Sequence, residues 1–244
     1  MSVQLLFLFL LWVYDDFFYH ENGYIVVDDV YSMDEVNAMR AVVEELVEKS
    51  REVSDHNDIY DLEPAHSPEN PRVRRIKEPF KVHPLYREMV EHPNIISIMK
   101  KLIGVNQRLH GGKINIKAAS FGSPVEWHQD WAFYPHTNDD VLAIGVMLDD
   151  MTEENGPLLI MPGSHKGPTY DHHADGSFAG AINPNDCPLD FSKAARVTGS
   201  PHTCTRKPSS SLVASAMCSF PNLFTIRFES VSYTHLTLPT ILLV

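Results

Sequence analysis

The chain has 244 residues, 43% of them apolar, which suits one folded domain with a real core and excludes global disorder. Its formal net charge of -12 repels phosphate backbones, so a nucleic-acid partner is not expected. Three cysteines, Cys187, Cys204 and Cys218, are too few and too scattered for a disulfide framework or a zinc knuckle, and a reducing, cytoplasmic setting is expected.

Leu5 to Val13 reads LLFLFLLWV, too short to cross a bilayer as a helix. No Lys or Arg precedes it and no small-residue cleavage site follows, so it is a poor secretion signal. No stable membrane insertion is expected. Residues 1–16 read as an extension outside the domain.

Asn22-Gly23 is a turn signal, and Tyr24 to Val27 is a short strand. Ser32 stands three residues before Glu35 and makes a capping box. Val36, Met39, Val43, Leu46 and Val47 follow at helical spacing, so the helix buries one face. Residues 51 to 75, with Pro64, Pro68 and Pro71, read as a long polar loop. Leu85 to Leu102 is a second amphipathic pattern broken at His92-Pro93, and Gly104 ends it.

Short strands then follow one another. The expected strands are Lys113 to Ala119, Val125 to Phe133, Val141 to Leu148 and Leu158 to Met161, with turns at Gly122-Ser123-Pro124 and Asn155-Gly156. Helices first and a run of strands after them predict a mainly β fold, a sandwich or jelly roll with N-terminal helices.

Three His-x-Asp patterns carry possible chemistry. A non-haem iron site uses two His and one carboxylate on one face of an octahedron. Residues i and i+2 of a strand point the same way, so His-x-Asp can supply two of those ligands. His56-Asn57-Asp58 and His173-Ala174-Asp175 lie in polar stretches and read as solvated loop residues. His128-Gln129-Asp130 ends a strand between Trp127 and Trp131, where aromatic neighbours exclude water. Taken alone, that pair is equally well a structural His–Asp contact.

The stretch from Trp127 to Gly167 reads WHQDWAFYPHTNDDVLAIGVMLDDMTEENGPLLIMPGSHKG. WHQD, the apolar strand before DDMTEENGPL, and PGSHKG resemble the phytanoyl-CoA dioxygenase family, as does the opening FYHENGYIVVDDVYSMDEV. The resemblance runs over roughly residues 17 to 198. It implies a double-stranded β-helix (jelly roll), Fe(II), and 2-oxoglutarate as cosubstrate. In that family, oxidative decarboxylation of 2-oxoglutarate is coupled to hydroxylation of an unactivated C–H. By position in the motif, the resemblance makes His128 and Asp130 iron ligands and sets Gln129 in the cosubstrate pocket. Lys113 and Lys117, on the preceding strand, face either that pocket or solvent. His165 of PGSHKG reads as structural, and His172-His173 as exposed loop histidines. Tyr134 and His136 either wall the pocket or pack. Family substrates include fatty acyl-CoAs, amino-acid derivatives and secondary metabolites, so a small organic or lipid-like molecule is expected. Arg72, Arg74, Arg75 and Lys77 form a modest positive run that reads as solvated surface rather than a site for CoA phosphates.

The family's distal His and the Arg that clamps the 2-oxoglutarate carboxylate are not found. His202 is placed by spacing alone, in a Thr/Cys/Ser-rich run without an apolar strand leading in, and Arg206 follows it too soon. His235 has no Arg after it. The ending VSYTHLTLPT resembles adaptor read-through. The expected domain is therefore residues 17–199, incomplete at its C-terminal end, with 200–244 a non-native or unstructured extension. Leu223 to Ser232 has the composition of a strand without the expected motif. The expected function is a dioxygenase weakened or inactivated by truncation. The alternative is a non-catalytic binding module or pseudoenzyme on the same fold. A zinc hydrolase ranks last for want of a third ligand and a general base.

Overall fold

The computed structural model describes residues 17–116, 125–133, 141–152 and 157–198, together with the backbone of three later strands, Cys204–Pro208, Leu212–Ser215 and Asn222–Ser230. After a helical turn at residues 17–22, the first strand is β1 (Ile25–Val27). Gly23 sits between them at φ +78°, a left-handed conformation that suits glycine.

Helix α1 (Met33–Lys49) opens with the expected capping box. Ser32 accepts from the Glu35 backbone, and the Glu35 carboxylate accepts from the Ser32 backbone. Val36, Met39, Val42, Val43 and Leu46 are its buried stripe. Arg40 anchors the helix to the sheet by donating to the Leu148 carbonyl and pairing with Asp149 at 3.0 Å.

Residues 51–75 are not a continuous loop. They contain β2 (Tyr60–Leu62) and the start of β3 (Val73–Lys77). Tyr60 and Leu62 point inward on either side of Asp61, so the period of two was present but only three residues long. The positive run is likewise not all solvated: Arg75 and Lys77 both reach Asp61, at 3.2 and 3.1 Å. The second amphipathic stretch divides at His92-Pro93 into α3 (Pro84–Val90) and α4 (Pro93–Leu102), after a single turn α2 (Pro79–Val82). His83 and His92 each cap the following helix through the imidazole.

Strands β4 (Gln107–Ile116), β5 (Val125–Gln129), β6 (Val141–Met147) and β7 (Leu158–Ile160) come next. β4 starts six residues before the expected Lys113, in a segment whose Gly111-Gly112 disguised it. A small hairpin, β8 (His173–Ala174) and β9 (Ser177–Phe178), precedes β10 (Ala195–Val197). The last strands are β11 (Cys204–Pro208), β12 (Leu212–Ser215) and β13 (Asn222–Ser230).

Two antiparallel sheets result, in the orders β1-β11-β6-β13-β4-β3-β2 and β10-β7-β12-β5. From β4 onward the chain alternates between them, β4 in the large sheet, β5 in the small, β6 in the large, β7 in the small, and again from β10 to β13. That alternation is the double-stranded β-helix expected from the sequence. The 200–244 tail, expected to lie outside the domain, supplies backbone to both sheets. β13 fills the gap between β4 and β6, and β12 lies between β7 and β5.

All seven residues of β6 are buried. The main core joins Leu142, Ile144 and Val146 to Ile76 and Ile114 and to the helices through Val36, Met39, Tyr86, Ile95 and Met99. Met147, Ile160 and Val197 form a second, smaller core. Among the described residues β5 is an edge strand of the small sheet, and its end carries the His-x-Asp motif.

Candidate metal centre

β5 ends in Trp127-His128-Gln129, and the chain turns at once into a 3-10 turn, Asp130–Phe133. His128 and Asp130 fall on the same side of the strand, as alternation requires. His128 Nε2 lies 3.3 Å from Asp130 Oδ1, and both residues are buried, Asp130 almost completely.

The imidazole is oriented from behind. His128 Nδ1 lies 2.8 Å from the Glu126 carbonyl, which can only accept, so Nδ1 carries the proton. Nε2 faces the Asp130 carboxylate, and this buried pairing is completed either by a proton on Nε2 or by a bound cation. A metal-binding histidine is held in this way, through an Nδ1–H bond to a carbonyl.

Gln129 points to the other side of the strand and is fully buried. Its Nε2 donates to the Pro168 carbonyl at 3.1 Å, and its Oε1 accepts from the Tyr170 backbone at 2.8 Å. The amide therefore faces the 168–170 loop, whereas the sequence reading set it against a cosubstrate.

His172 corrects the expectation of an exposed loop histidine, since it is 2% exposed. Its Nδ1–H donates to the Tyr170 carbonyl, and its Nε2 accepts from the Gln129 backbone N–H, both at 2.8 Å. Burial lowers its pKa, and accepting from the Gln129 N–H requires Nε2 to be unprotonated. With both ring nitrogens engaged, His172 braces the backbone between His128 and Asp130. The sequence offered no signal for this, because the contact spans 43 residues. His173 is exposed and pairs with Asp171 at 2.7 Å.

Two further aromatics were not anticipated. The Phe133 ring meets the His128 ring edge-on, with centroids 5.7 Å apart at 84°. Phe178, on the hairpin, meets Phe133 at 5.0 Å and 83°.

The other motifs are structural. His56 accepts from the Leu62 backbone, and Asn57 Oδ1 accepts from Ile59 and Tyr60, so the first His-x-Asp is a turn. Asp175 sits at φ +50° in the tip of the β8–β9 hairpin. His165 donates from Nε2 to the His20 carbonyl at 3.0 Å and packs over Gly23, tying the β7 turn to the N-terminus. Lys113 lies half-buried on β4, its backbone opposite Lys77 and Thr225. Lys117, Tyr134, His136, His202 and His235 lie outside the described residues.

Among the described residues, no group of three His, Cys, Asp or Glu comes together as a metal set. β12 is the strand that pairs with β5 beside the motif, with Val213 opposite His128 and Leu212 opposite Gln129. That strand, Leu-Val-Ala-Ser, contains no histidine. Two converging donors fit a divalent metal in chemistry and hold it less firmly than three.

The phytanoyl-CoA dioxygenase family model matches residues 19–186. The chain belongs to this family. A probable alpha-ketoglutarate-dependent hypophosphite dioxygenase from Stutzerimonas stutzeri is 36% identical over 213 residues, covering 86% of this chain and 73% of that protein. An ectoine dioxygenase from Streptomyces avermitilis is 25% identical over 153 residues, 61% of this chain and 50% of its own length. The chain thus spans about half the length of the ectoine dioxygenases it matches. Among solved structures, EctD from S. alaskensis with bound Fe has a TM-score of 0.72 at 20% identity, over 98% of this chain and 80% of that one, which establishes the shared fold. Among the described residues, no helix is long and apolar enough to cross a membrane.

Proposed function

We propose that this chain is the iron-site part of an Fe(II)- and 2-oxoglutarate-dependent dioxygenase acting on a small organic or lipid-like molecule. The observation that carries it is the convergence of His128 Nε2 and Asp130 Oδ1 at 3.3 Å, with the imidazole proton fixed on the far nitrogen. Family membership and relatives named as alpha-ketoglutarate-dependent and ectoine dioxygenases support the cofactor assignment.

In this reading His128 and Asp130 hold the metal, and the bound iron supplies oxidative decarboxylation of 2-oxoglutarate coupled to C–H hydroxylation. The chain's own residues do the positioning. The Glu126 carbonyl keeps the imidazole in the ligand tautomer. His172 pins the Gln129 backbone between the two ligands, and Gln129 ties the 168–170 loop to the other face of β5. Trp127 packs on Phe191 with centroids 4.6 Å apart, which keeps water from that side of β5.

The chain in this reading is a weak catalyst or none, because among the described side chains neither a third ligand nor an Arg for the cosubstrate carboxylate joins His128 and Asp130. The native sequence in this reading is residues 17–199, with 1–16 an extension and 200–244 non-native sequence whose backbone occupies the places of the last strands. Support comes from β12, which offers Val213 opposite His128. The same observation favours the second reading, a binding module or pseudoenzyme.

The deciding experiment is to sequence the genomic exon or transcript covering residues 199–244 and to assay succinate formation from 2-oxoglutarate with Fe(II). A distal His and a following Arg in the resequenced strand, with turnover restored, support the dioxygenase. A confirmed tail without succinate formation selects the pseudoenzyme.

A further inference from the structure

We infer that Phe133 and Phe178 form the substrate-facing wall of this site, and that the wall selects a compact organic molecule presenting saturated C–H surface and no net negative charge over a bare oxyanion. This rests on the metal-centre reading above and deepens it by naming the substrate class.

Both rings are large, apolar and partly open, Phe133 at 39% and Phe178 at 48% exposure. A single exposed phenylalanine is ordinary. Two that touch each other, one of them edge-on to His128, make a continuous aromatic surface beginning at the metal pair. The buried His172 ring backs it, nearly parallel to Phe178 at 18° with centroids 6.4 Å apart.

The wall is built and held. The Ala179 and Gly180 backbones both donate to the His172 carbonyl, at 2.8 and 3.1 Å. The Ile182 backbone donates to the Trp127 carbonyl at 2.7 Å, and Gln129 ties down Pro168 and Tyr170. The 168–182 excursion is thus fastened to β5 at both of its ends. Gly180 sits at φ +67°, and a Cβ there would come within 2.8 Å of the Phe133 ring tip, so a side chain at 180 would push Phe133 aside.

Charge argues the same way. The carboxylates acting on His172 are Asp171 and Asp130. Aromatic faces are electron-rich and attract C–H edges and cations rather than anions. A small oxyanion would gain nothing from such a wall.

The test uses the full chain and two probes, cyclohexanol and hypophosphite, in saturation-transfer NMR, since the ring C–H and the P–H protons are both observable. Saturation transfer to cyclohexanol and little to hypophosphite is expected. Phe178→Ala should cut the cyclohexanol signal about five-fold, the scale of one lost aromatic contact, and Phe178→Leu should retain most of it. Transfer to hypophosphite alone, or a cyclohexanol signal unchanged in Phe178→Ala, overturns the inference. Mn(II) binding, followed by water-proton relaxation, is measured separately. If Mn(II) fails to bind while Phe178→Ala still removes the cyclohexanol signal, the metal reading falls and the wall stands. If Mn(II) binds and the wall signal is absent, the wall alone is refuted.

Discussion

The side-chain oxygen of Gln129 accepts from the backbone N–H of Tyr170 at 2.8 Å, across 41 residues of sequence. The same amide donates to Pro168, so a single buried side chain satisfies two backbone groups of a loop. Gln129→Leu removes both partners and leaves a buried N–H and C=O unpaired. A loss of about 2–3 kcal/mol is expected in urea unfolding, with faster amide exchange at Tyr170. Unchanged stability and exchange would show that the loop is held elsewhere.

His128 and Asp130 differ from every other His-x-Asp of the chain in being buried and convergent. His128→Ala and Asp130→Ala should each weaken Mn(II) or Fe(II) binding at least about ten-fold, because one remaining donor cannot chelate. His173→Ala, which removes an exposed ring that pairs with Asp171 and meets Phe178 edge-on, should leave metal affinity as it was. Equal effects from His173 and His128 would move the metal to the hairpin.

His165 gives the fold a defined response to acid. Burial pushes its pKa below the ordinary 6.5, outweighing the favourable bond to the His20 carbonyl. The native state therefore binds this proton less readily than the unfolded chain does. The stabilisation is fully present above about pH 6.5 and declines as the pH falls below it, levelling off once the lowered native value is passed. Melting temperatures measured from pH 7.5 downward should drop through this window, and His165→Gln should reduce the slope. A melting temperature that rises on acidification would contradict the assignment.

What was legible in the sequence is what local rules control. Ser32 and Glu35 cap α1 because a three-residue spacing suffices, and β6 shows itself by seven consecutive apolar residues. The convergence of His128 and Asp130 was legible because strand alternation is a property of adjacent residues. β2 was too short to announce itself, and β4 was concealed by Gly111 and Gly112. The burial of His172 and the loop contacts of Gln129 were hidden for a different reason. Their burial comes from hydrogen bonds to each other's segments, set by where the 168–182 excursion lands on β5, and no window of sequence contains both. Phe133 and Phe178 meet through the same tertiary accident of place.

Gly23 and Gly104 both adopt left-handed backbone, at φ +78° and +89°, and so separate two causes of glycine preference. A Cβ at Gly104 meets nothing within 4 Å, and Gly104→Ala should cost only the backbone strain of about 1 kcal/mol. A Cβ at Gly23 would fall 2.3 Å from His165 Nδ1, and the ring cannot retreat without giving up its bond to the His20 carbonyl. The neighbouring bond from the Gly163 backbone to the Asn22 carbonyl, 2.8 Å long, holds the opposing turn in place. Gly23→Ala should therefore cost about 2–4 kcal/mol, well beyond Gly104→Ala. Combining Gly23→Ala with His165→Ala should recover part of the difference, because the second change removes the clashing ring. Equal costs for the two single substitutions would mean that His165 does not pack on Gly23 in solution.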